Sequence, residues 1–477
     1  MEKKNLIFTL SGIRGRAEKD LNYNVVKKIA ISFGYWIDGK DKKVIIGRDT
    51  RPSGSFIEKA LIEGLVLSGF KILNVGICPA PVIIHTKNRL KIPAGIIITG
   101  SHNPEEWNGL KLLSTKTFLN SDDLEIISIY LDNIDLNEYN TNQLNLENDI
   151  EILNPISDYI QDLLCYINNS EIKNRNNLKV VIDPGAGAGK YVTPRVLSEL
   201  GCEIKLINND LLVNKEFPRE IEPIESNLKD LIMEVWQGKF DIGFAHDSDA
   251  DRLAIIGENG ECYPEDIGLA IIMKYYLEEY QNSDKEIIFI TNLASSLRFD
   301  AIAEQYNAKV IRTPIGERFL TDKMDTLVKK ASTNQLIFGG EGSCGGFMYP
   351  YFNNTRDGIF AAAKIIEIMV KSQKTISQIV SELPKYYSHR IKIDIKNINI
   401  SSLINRIKAE LINEGEEVEQ INNDLRFGQG TDWFVLIHPS NTEPIIRVIS
   451  EAKRDSLARV YCEATAELVR LRMSSNN

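Results

Sequence analysis

Short apolar runs rich in Ile, Val and Leu recur along the 477-residue chain, separated by stretches whose apolar positions fall three and four apart. Runs bounded by turn-forming residues predict strands, and the wider spacing predicts amphipathic helices. Strands are predicted at 44–46, 71–73 and 96–98, with a helix over 55–69 that puts Phe56, Ala60 and Leu61 on one face. A second series follows at 179–183, 202–207 and 241–244, and a third at 286–290, 309–311 and 335–338. Strand, helix and strand repeated three times predict mostly parallel α/β layers, with functional loops at the carboxyl ends of the strands.

The pattern changes after Pro384. Strands at 390–395, 433–437 and 445–449 and a closing helix at 456–472 predict a smaller α+β unit. The Asn-rich stretch 133–150 is weakly patterned and reads as a linker. The fold class is therefore three mixed α/β domains of similar topology plus a C-terminal α+β domain. The boundaries expected are 1–135, 150–256, 257–380 and 386–477.

Composition narrows the classes of function. A hydrophobic share of 43% and a charged share of 26% fit a globular protein. A net charge of −10 argues against nucleic acid or an anionic membrane as the main partner. The six cysteines are scattered, without a C-x-x-C pair, as in a reducing compartment. The apolar run in MEKKNLIFTL is too short for a signal peptide, and none reaches membrane-spanning length. The reading is a cytoplasmic protein.

Several loops carry candidate chemistry. TGSHNPEEWNGLKLL (99–113) places Ser101 after an apolar run. Ser101 reads either as a helix N-cap, with Pro104-Glu105-Glu106 opening the first turn, or as a phosphoryl carrier. In the second reading Gly100 lets backbone approach, and His102 and Lys111 supply proton transfer or charge. DSDADR (247–252) sets three aspartates at alternate positions, which repel unless a cation joins them; hard divalent ions take such oxygens. A solvated acidic turn is the plainer alternative. A calcium-loop reading finds Glu258 at the twelfth position but Arg252 where glycine is required.

DPGAGAGK (183–190) imitates a nucleotide phosphate loop, but Tyr191 follows Lys190 where Ser or Thr is needed; it reads as a glycine-rich turn into a helix. GGEGSCGGF (339–347) ends a strand with Glu341, a carboxylate able to accept two sugar hydroxyls. HPSNTEPIIRV (438–448) packs Ser440, Asn441 and Thr442 into one turn with Arg447 beyond it, an anion cradle or an ordinary hairpin turn. Arg14, Arg48 and Arg51 stand in SGIRG and GRDTRPSG, where arginines are usually solvated. Three of the five histidines (102, 246 and 438) fall in these motifs, His246 being placed to pack beside the aspartate loop.

Taken in order, these segments resemble the α-D-phosphohexomutase superfamily, from SGIRG to beyond Arg447. TGSHNP with NGLK, together with DSDADR, is the most specific pair. The resemblance implies four domains around a central cleft, one loop from each. It makes Ser101 the phosphorylated serine and Ser101, Asp247, Asp249 and Asp251 the Mg²⁺ ligands. Arg14, His102 and Lys111 are then catalytic. Arg252, Gly316, Arg318, Glu341, Ser343, Ser440, Asn441, Thr442 and Arg447 bind substrate, and residues 386–477 form a phosphate-binding lid. The partners implied are a hexose phosphate and a hexose 1,6-bisphosphate, with a homo-oligomer left open.

Departures bear on the sugar. Ser248 replaces the glycine of the commoner DGDADR, His438 stands where arginine is usual, and the sugar loop has Cys344 and Gly346 without a histidine. TPIGERF (313–319) also lacks a histidine, and Ser11 replaces a common acidic residue. The activity expected is phosphomannomutase/phosphoglucomutase, with phosphoglucosamine mutase as the alternative. Two further readings are a metal-dependent sugar phosphatase, which would release phosphate instead of isomerised sugar, and a non-catalytic sugar-phosphate sensor.

Overall fold

In this computed structural model, described over residues 5–37, 42–139, 146–332, 334–342, 345–395, 398–440 and 444–474, the chain forms two compact units. One takes residues 1–272 with 344–380, the other 273–343 with 381–477.

The first unit opens with a seven-stranded sheet: β1 (Ile7–Thr9), β2 (Gly12–Arg16), β3 (Lys43–Arg48), β4 (Lys71–Ile77), β5 (Ala94–Ile98), β6 (Trp107–Leu113) and β7 (Ile150–Ile152), in the order β1-β2-β6-β5-β3-β4-β7. The predicted strands are β3, β4 and β5, and these run parallel. β6 pairs antiparallel with β5 and with β2, so the sheet is mixed. The hydrophobic pattern hid β2 and β6 because glycine and charged residues interrupt GIRGR and WNGLKLL. The linker expected over 133–150 is corrected at its end: Ile150 opens β7, which pairs with β4.

The helix Gly54–Leu67 buries Ile57, Ala60, Leu61 and Leu65, and packs with the helix Tyr23–Trp36 into a core shared with Val44, Ile46, Ile96 and Ile98. The helix Ser121–Asn133 starts at a reciprocal cap. Asn120 Oδ1 accepts from Asp123 N at 2.7 Å, and Asp123 Oδ2 accepts from Asn120 N at 3.0 Å. Such a cap contributes about 1 kcal/mol. Asn120→Ala is expected to raise amide exchange in that helix about fivefold, as read by hydrogen–deuterium exchange. Unchanged exchange would show that packing of Leu124, Ile127 and Leu131 alone holds the helix.

A second sheet follows, β8 (Lys179–Asp183), β9 (Glu203–Leu206), β10 (Ile242–Ala245) and β11 (Ala254–Gly257), ordered β11-β10-β8-β9. β9, β8 and β10 are parallel; β11 returns antiparallel to β10, so the aspartate loop is the connection of a hairpin. Flanking strands remove the helix–loop–helix calcium reading. The helix Gly358–Ser372 packs against Thr193–Glu199, which draws the end of the third expected domain into the first unit.

In the second unit β12 (Glu286–Asn292) runs parallel to both β13 (Lys309–Thr313) and β14 (Gln335–Glu341). The C-terminal part is an antiparallel sheet ordered Tyr387–Asp394, Ile445–Ala452, Trp433–Pro439, Asp424–Gln429 and Val418–Ile421, with the helices Ile400–Asn413 and Asp455–Ser474 sharing its core. The hairpin of the last two strands and the helix at 400–413 went unread from sequence. No helix among the described residues is long and apolar enough to cross a membrane. The five described cysteines are free.

Candidate active site

Arg14, Lys111 and Ser101 come from three neighbouring strands. Arg14 on β2 lies opposite Gly109 on β6, Lys111 on β6 lies opposite Ile97 on β5, and Ser101 sits three residues past the end of β5. The next regular element is the strand Trp107–Leu113, so Ser101 caps no helix and the N-cap reading is wrong.

Ser101 is buried and has φ +50, a left-handed conformation that a β-carbon makes unfavourable. A cage of polar groups holds it there. Its amide donates to Thr99 Oγ1 at 2.7 Å, and the Thr99 hydroxyl donates to Asp49 Oδ2 at 2.7 Å. Its carbonyl accepts from Arg51 Nη2 at 2.9 Å. Arg51 also donates to the carbonyls of Asn103 (2.6 Å), Pro104 (2.8 Å) and Trp107 (2.9 Å). Arg51 and Asp49 form an ion pair in which both side chains are 0% exposed. Arg51 is thus not a solvated loop residue, and Arg48 pairs with Glu58. Gly100 is required here, because a β-carbon would stand 2.5 Å from Arg51 Cζ.

The hairpin between β10 and β11 brings Asp247, Asp249 and Asp251 together, one oxygen of each within 4.8 Å of the others. Ser101 Oγ donates to Asp247 Oδ2 at 2.9 Å, which joins the serine to this cluster. The residue that replaces the usual glycine adds a tie. Ser248 Oγ lies 2.8 Å from both Asp49 Oδ2 and the Ser101 carbonyl. The glycine-rich turn at 183–190 supports the loop, with Ala188 N donating to Ser248 O and Gly187 leaving no room for a β-carbon 2.9 Å from Asp247 O. His246 packs as expected, bonded to Thr193 and to the Arg252 carbonyl, and burial lowers its pKa to about 4.

Burial, and repulsion from Asp249 and Asp251, push the Asp247 carboxyl up to about 8. Oδ1 of Asp249 and of Asp251 are buried without a hydrogen-bond partner. Three clustered carboxylates with orphaned oxygens fit a hard divalent cation.

Cations surround the cluster. Lys111 Nζ donates to Asp249 Oδ2 and Asp251 Oδ2, each at 2.7 Å. Arg356 Nη2 donates to the same oxygen of Asp251 at 2.7 Å. Arg14 donates to Asn103 Oδ1, and burial beside Arg252 lowers its pKa to about 10. Arg252 Nη2 donates to His102 Nδ1 at 2.8 Å. A guanidinium only donates, so Nδ1 accepts and the His102 proton sits on Nε2. Burial and three nearby guanidiniums lower the His102 pKa to about 2. The ring is therefore neutral, which speaks against proton shuttling through Nδ1.

The remaining expected residues lie in the second unit. Glu341 is buried at the end of β14 and accepts from Asn292 Nδ2 at 3.0 Å. Gly342 N donates to Ser295 Oγ, and Thr291 Oγ1 donates to Gly340 O, so the β12 end holds this loop. Gly316 has φ +128 and precedes the helix Glu317–Lys330, whose Arg318 pairs with Asp322 at 3.1 Å. Arg447 Nη1 donates to Ser440 Oγ at 3.1 Å, while His438 bonds Asp424 at 2.7 Å. Ser343, Asn441 and Thr442 lie outside the described residues.

Models of the phosphoglucomutase/phosphomannomutase α/β/α domains match in chain order: domain I over residues 5–138, domain II over 157–260 and domain III over 264–387. The chain belongs to the α-D-phosphohexomutase superfamily. A phosphoglucomutase/phosphomannomutase of Thermococcus kodakarensis is 34% identical over 474 residues, covering 97% of this chain and 98% of that protein. A phosphoglucosamine mutase of Methanococcus maripaludis is 31% identical, covering 98% of this chain and all of its own. A crystal structure of a phosphoglucomutase/phosphomannomutase family protein from Burkholderia thailandensis has a TM-score of 0.80 at 22% identity, covering 98% of both chains. This phosphohexomutase is an isomerase that works as an intramolecular phosphotransferase, on a four-domain α/β architecture. Its motifs were readable one by one, but Asp49, Arg51, Thr99 and Arg356 were not singled out as site residues. Their signal was the polar density of GRDTRPSG, the threonine that opens TGSHNP and the charge in TRDG.

Proposed function

We propose that the chain is a phosphomannomutase/phosphoglucomutase that shuttles a phosphoryl group through Ser101. The observation that carries this is Ser101 Oγ, 2.9 Å from Asp247 in a cluster also reached by Lys111. Phosphorylated Ser101 gives its phosphoryl group to the free hydroxyl of a bound hexose monophosphate. The serine P–O bond breaks as a sugar P–O bond forms, and the proton from the sugar hydroxyl ends on Ser101 Oγ. Lys111, charged and carried on β6, is the relay we assign. The hexose 1,6-bisphosphate then returns its other phosphoryl group to Ser101.

Such transfers depend on alignment and charge more than on covalent rearrangement. Asp247, Asp249 and Asp251, with a phosphoryl oxygen on Ser101, would hold Mg²⁺, which supplies charge neutralisation when bound. Arg14 and Arg252 line the same cluster, and His102 keeps Arg252 in place. Glu341 and Ser343 are assigned to sugar hydroxyls. Ser440, Asn441, Thr442 and Arg447, with Gly316 and Arg318, are assigned to the phosphate that is not in transfer.

The Thermococcus relative supports a glucose or mannose substrate. The Methanococcus relative favours phosphoglucosamine mutase as a second reading. Side-by-side rates with the 1-phosphates of glucose, mannose and glucosamine decide between them. Glucose and mannose phosphates are expected to turn over at least tenfold faster, and chelation of Mg²⁺ is expected to stop turnover until the ion is restored. Faster glucosamine phosphate would transfer the assignment to the second reading. Release of inorganic phosphate without isomerised sugar would identify a phosphatase.

A further inference from the structure

The glycine-rich turn at 183–190 begins at the last residue of β8 and packs around one arginine. The Arg219 side chain is 6% exposed and donates from Nε to Asp183 Oδ1 at 3.0 Å. Its Nη1 donates to the carbonyls of Glu220 (2.9 Å) and Ile221 (3.2 Å), and its Nη2 to the His246 carbonyl at 2.8 Å. Asp183 is fixed in turn. Its Oδ1 also accepts from Gly185 N at 2.8 Å, and its Oδ2 from Asn208 Nδ2 at 2.9 Å. Gly185 has φ +51, and a β-carbon there would stand 2.8 Å from Arg219 Cζ.

His246 is the residue before Asp247. A peptide group is planar, so holding the His246 oxygen sets the plane from which Asp247 leaves. The far side of Asp247 is held as well. Its carbonyl accepts from Ala250 N at 3.3 Å and lies where a β-carbon on Gly187 would come within 2.9 Å, and Ser248 O accepts from Ala188 N at 2.8 Å. The turn and its arginine therefore fix both peptide planes that carry the Asp247 side chain. The Arg51 cage has the same plan. In each, a buried aspartate pairs with an arginine, and the guanidinium holds a carbonyl at a reactive residue: that of Ser101 for Arg51, that of the residue before Asp247 for Arg219. In each, a glycine lies against the guanidinium carbon, Gly100 in one and Gly185 in the other. One device thus serves both loops that meet where Ser101 Oγ donates to Asp247 Oδ2.

We propose that Arg219 is a positioning residue for the divalent cation: through the His246 carbonyl it aims Asp247, and so sets how tightly the aspartate cluster holds the ion. This rests on the Mg²⁺ role given to that cluster under the proposed function. Groups that orient metal ligands through hydrogen bonds change metal affinity by about 10–100-fold. The competing role is a tie that only stabilises the fold. The two separate on ion affinity, which a purely stabilising tie leaves alone in a folded variant.

The test is calorimetry of Mg²⁺ on wild type, Arg219→Lys and the paired variant Asp183→Asn with Arg219→Gln, with steady-state rates across a range of Mg²⁺ concentrations. Lysine keeps a charge for Asp183 but cannot reach the carboxylate and the His246 carbonyl at once. The paired variant leaves no buried charge unmatched. Both are expected to hold Mg²⁺ about tenfold more weakly. Turnover is expected to require correspondingly more Mg²⁺, with kcat at saturating ion within about threefold of wild type and the KM for hexose 1-phosphate within about twofold. Mg²⁺ affinity within twofold of wild type in the folded variants overturns the proposal, whatever their loss of stability. An equal weakening of Mg²⁺ and of hexose 1-phosphate also overturns it, because a loosened fold affects both. If one variant fails to fold, the other carries the same comparison. Wild type that binds no Mg²⁺ takes down the reading of the cluster and this one together. Wild type that binds it, with unchanged variants, removes this one alone.

Discussion

Ser101→Ala is expected to lower turnover of hexose 1-phosphate by about 10⁴-fold or more while the protein stays folded and still binds sugar phosphate. The hydroxyl is the acceptor and donor of the transferred group, so no neighbour can substitute for it by charge alone. The backbone at this point adds a control. Ser101 has φ +50 and is held by Thr99 and Arg51 through its amide and carbonyl, not through its hydroxyl. Alanine keeps those two bonds, and glycine keeps them with less backbone strain. Ser101→Gly is therefore expected to be as inactive as Ser101→Ala and at least as stable. Radiolabelled hexose bisphosphate should transfer label to wild type and to neither variant. Retained turnover in either variant would remove Ser101 as the phosphoryl carrier.

Arg51→Met is expected to cost about 3–5 kcal/mol of stability, because it strips a fully buried carboxylate of its cation. Asp49 would keep the hydroxyls of Thr99 and Ser248 but no positive charge. Five loop carbonyls, from Ser101 to Trp107, would lose this donor as well. Chemical denaturation should show the first unit melting early. The paired variant Asp49→Asn with Arg51→Met should recover part of the loss, since no unpaired charge remains. Activity should not recover with it, because the carbonyl cage that aims Ser101 is still missing. An Arg51→Met protein of unchanged denaturation midpoint would show that the loop is held by its own turn geometry. Gly100→Ala approaches the same fault from the other side, through its 2.5 Å clash with Arg51 Cζ.

The expectations that failed share a cause. The cap reading of Ser101 used only local preference. Serine before a proline and two glutamates is a fair helix start, but pairing of Trp107–Leu113 between β2 and β5 claims that segment for the sheet. Arg51 was read as solvated because loop arginines usually are, and the carbonyls that bury it are up to 56 residues away in sequence. His102 was given a proton-transfer role from its place beside Ser101 in the motif. Its tautomer is set by Arg252, 150 residues further along.

The linear order of residues settled the α/β class and the three parallel strand series, and marked where each candidate loop stands. Those properties follow from side-chain periodicity and from short motifs, which act within a few residues of one another. Folding in three dimensions decided the cage of Asp49, Thr99 and Arg51 about Ser101, the extra tie from Ser248, and the convergence of Arg14, Arg252 and Arg356 on one acidic cluster. These depend on which strands become neighbours and on how far a buried charge must reach for its partner, and neither distance is written in the spacing along the chain.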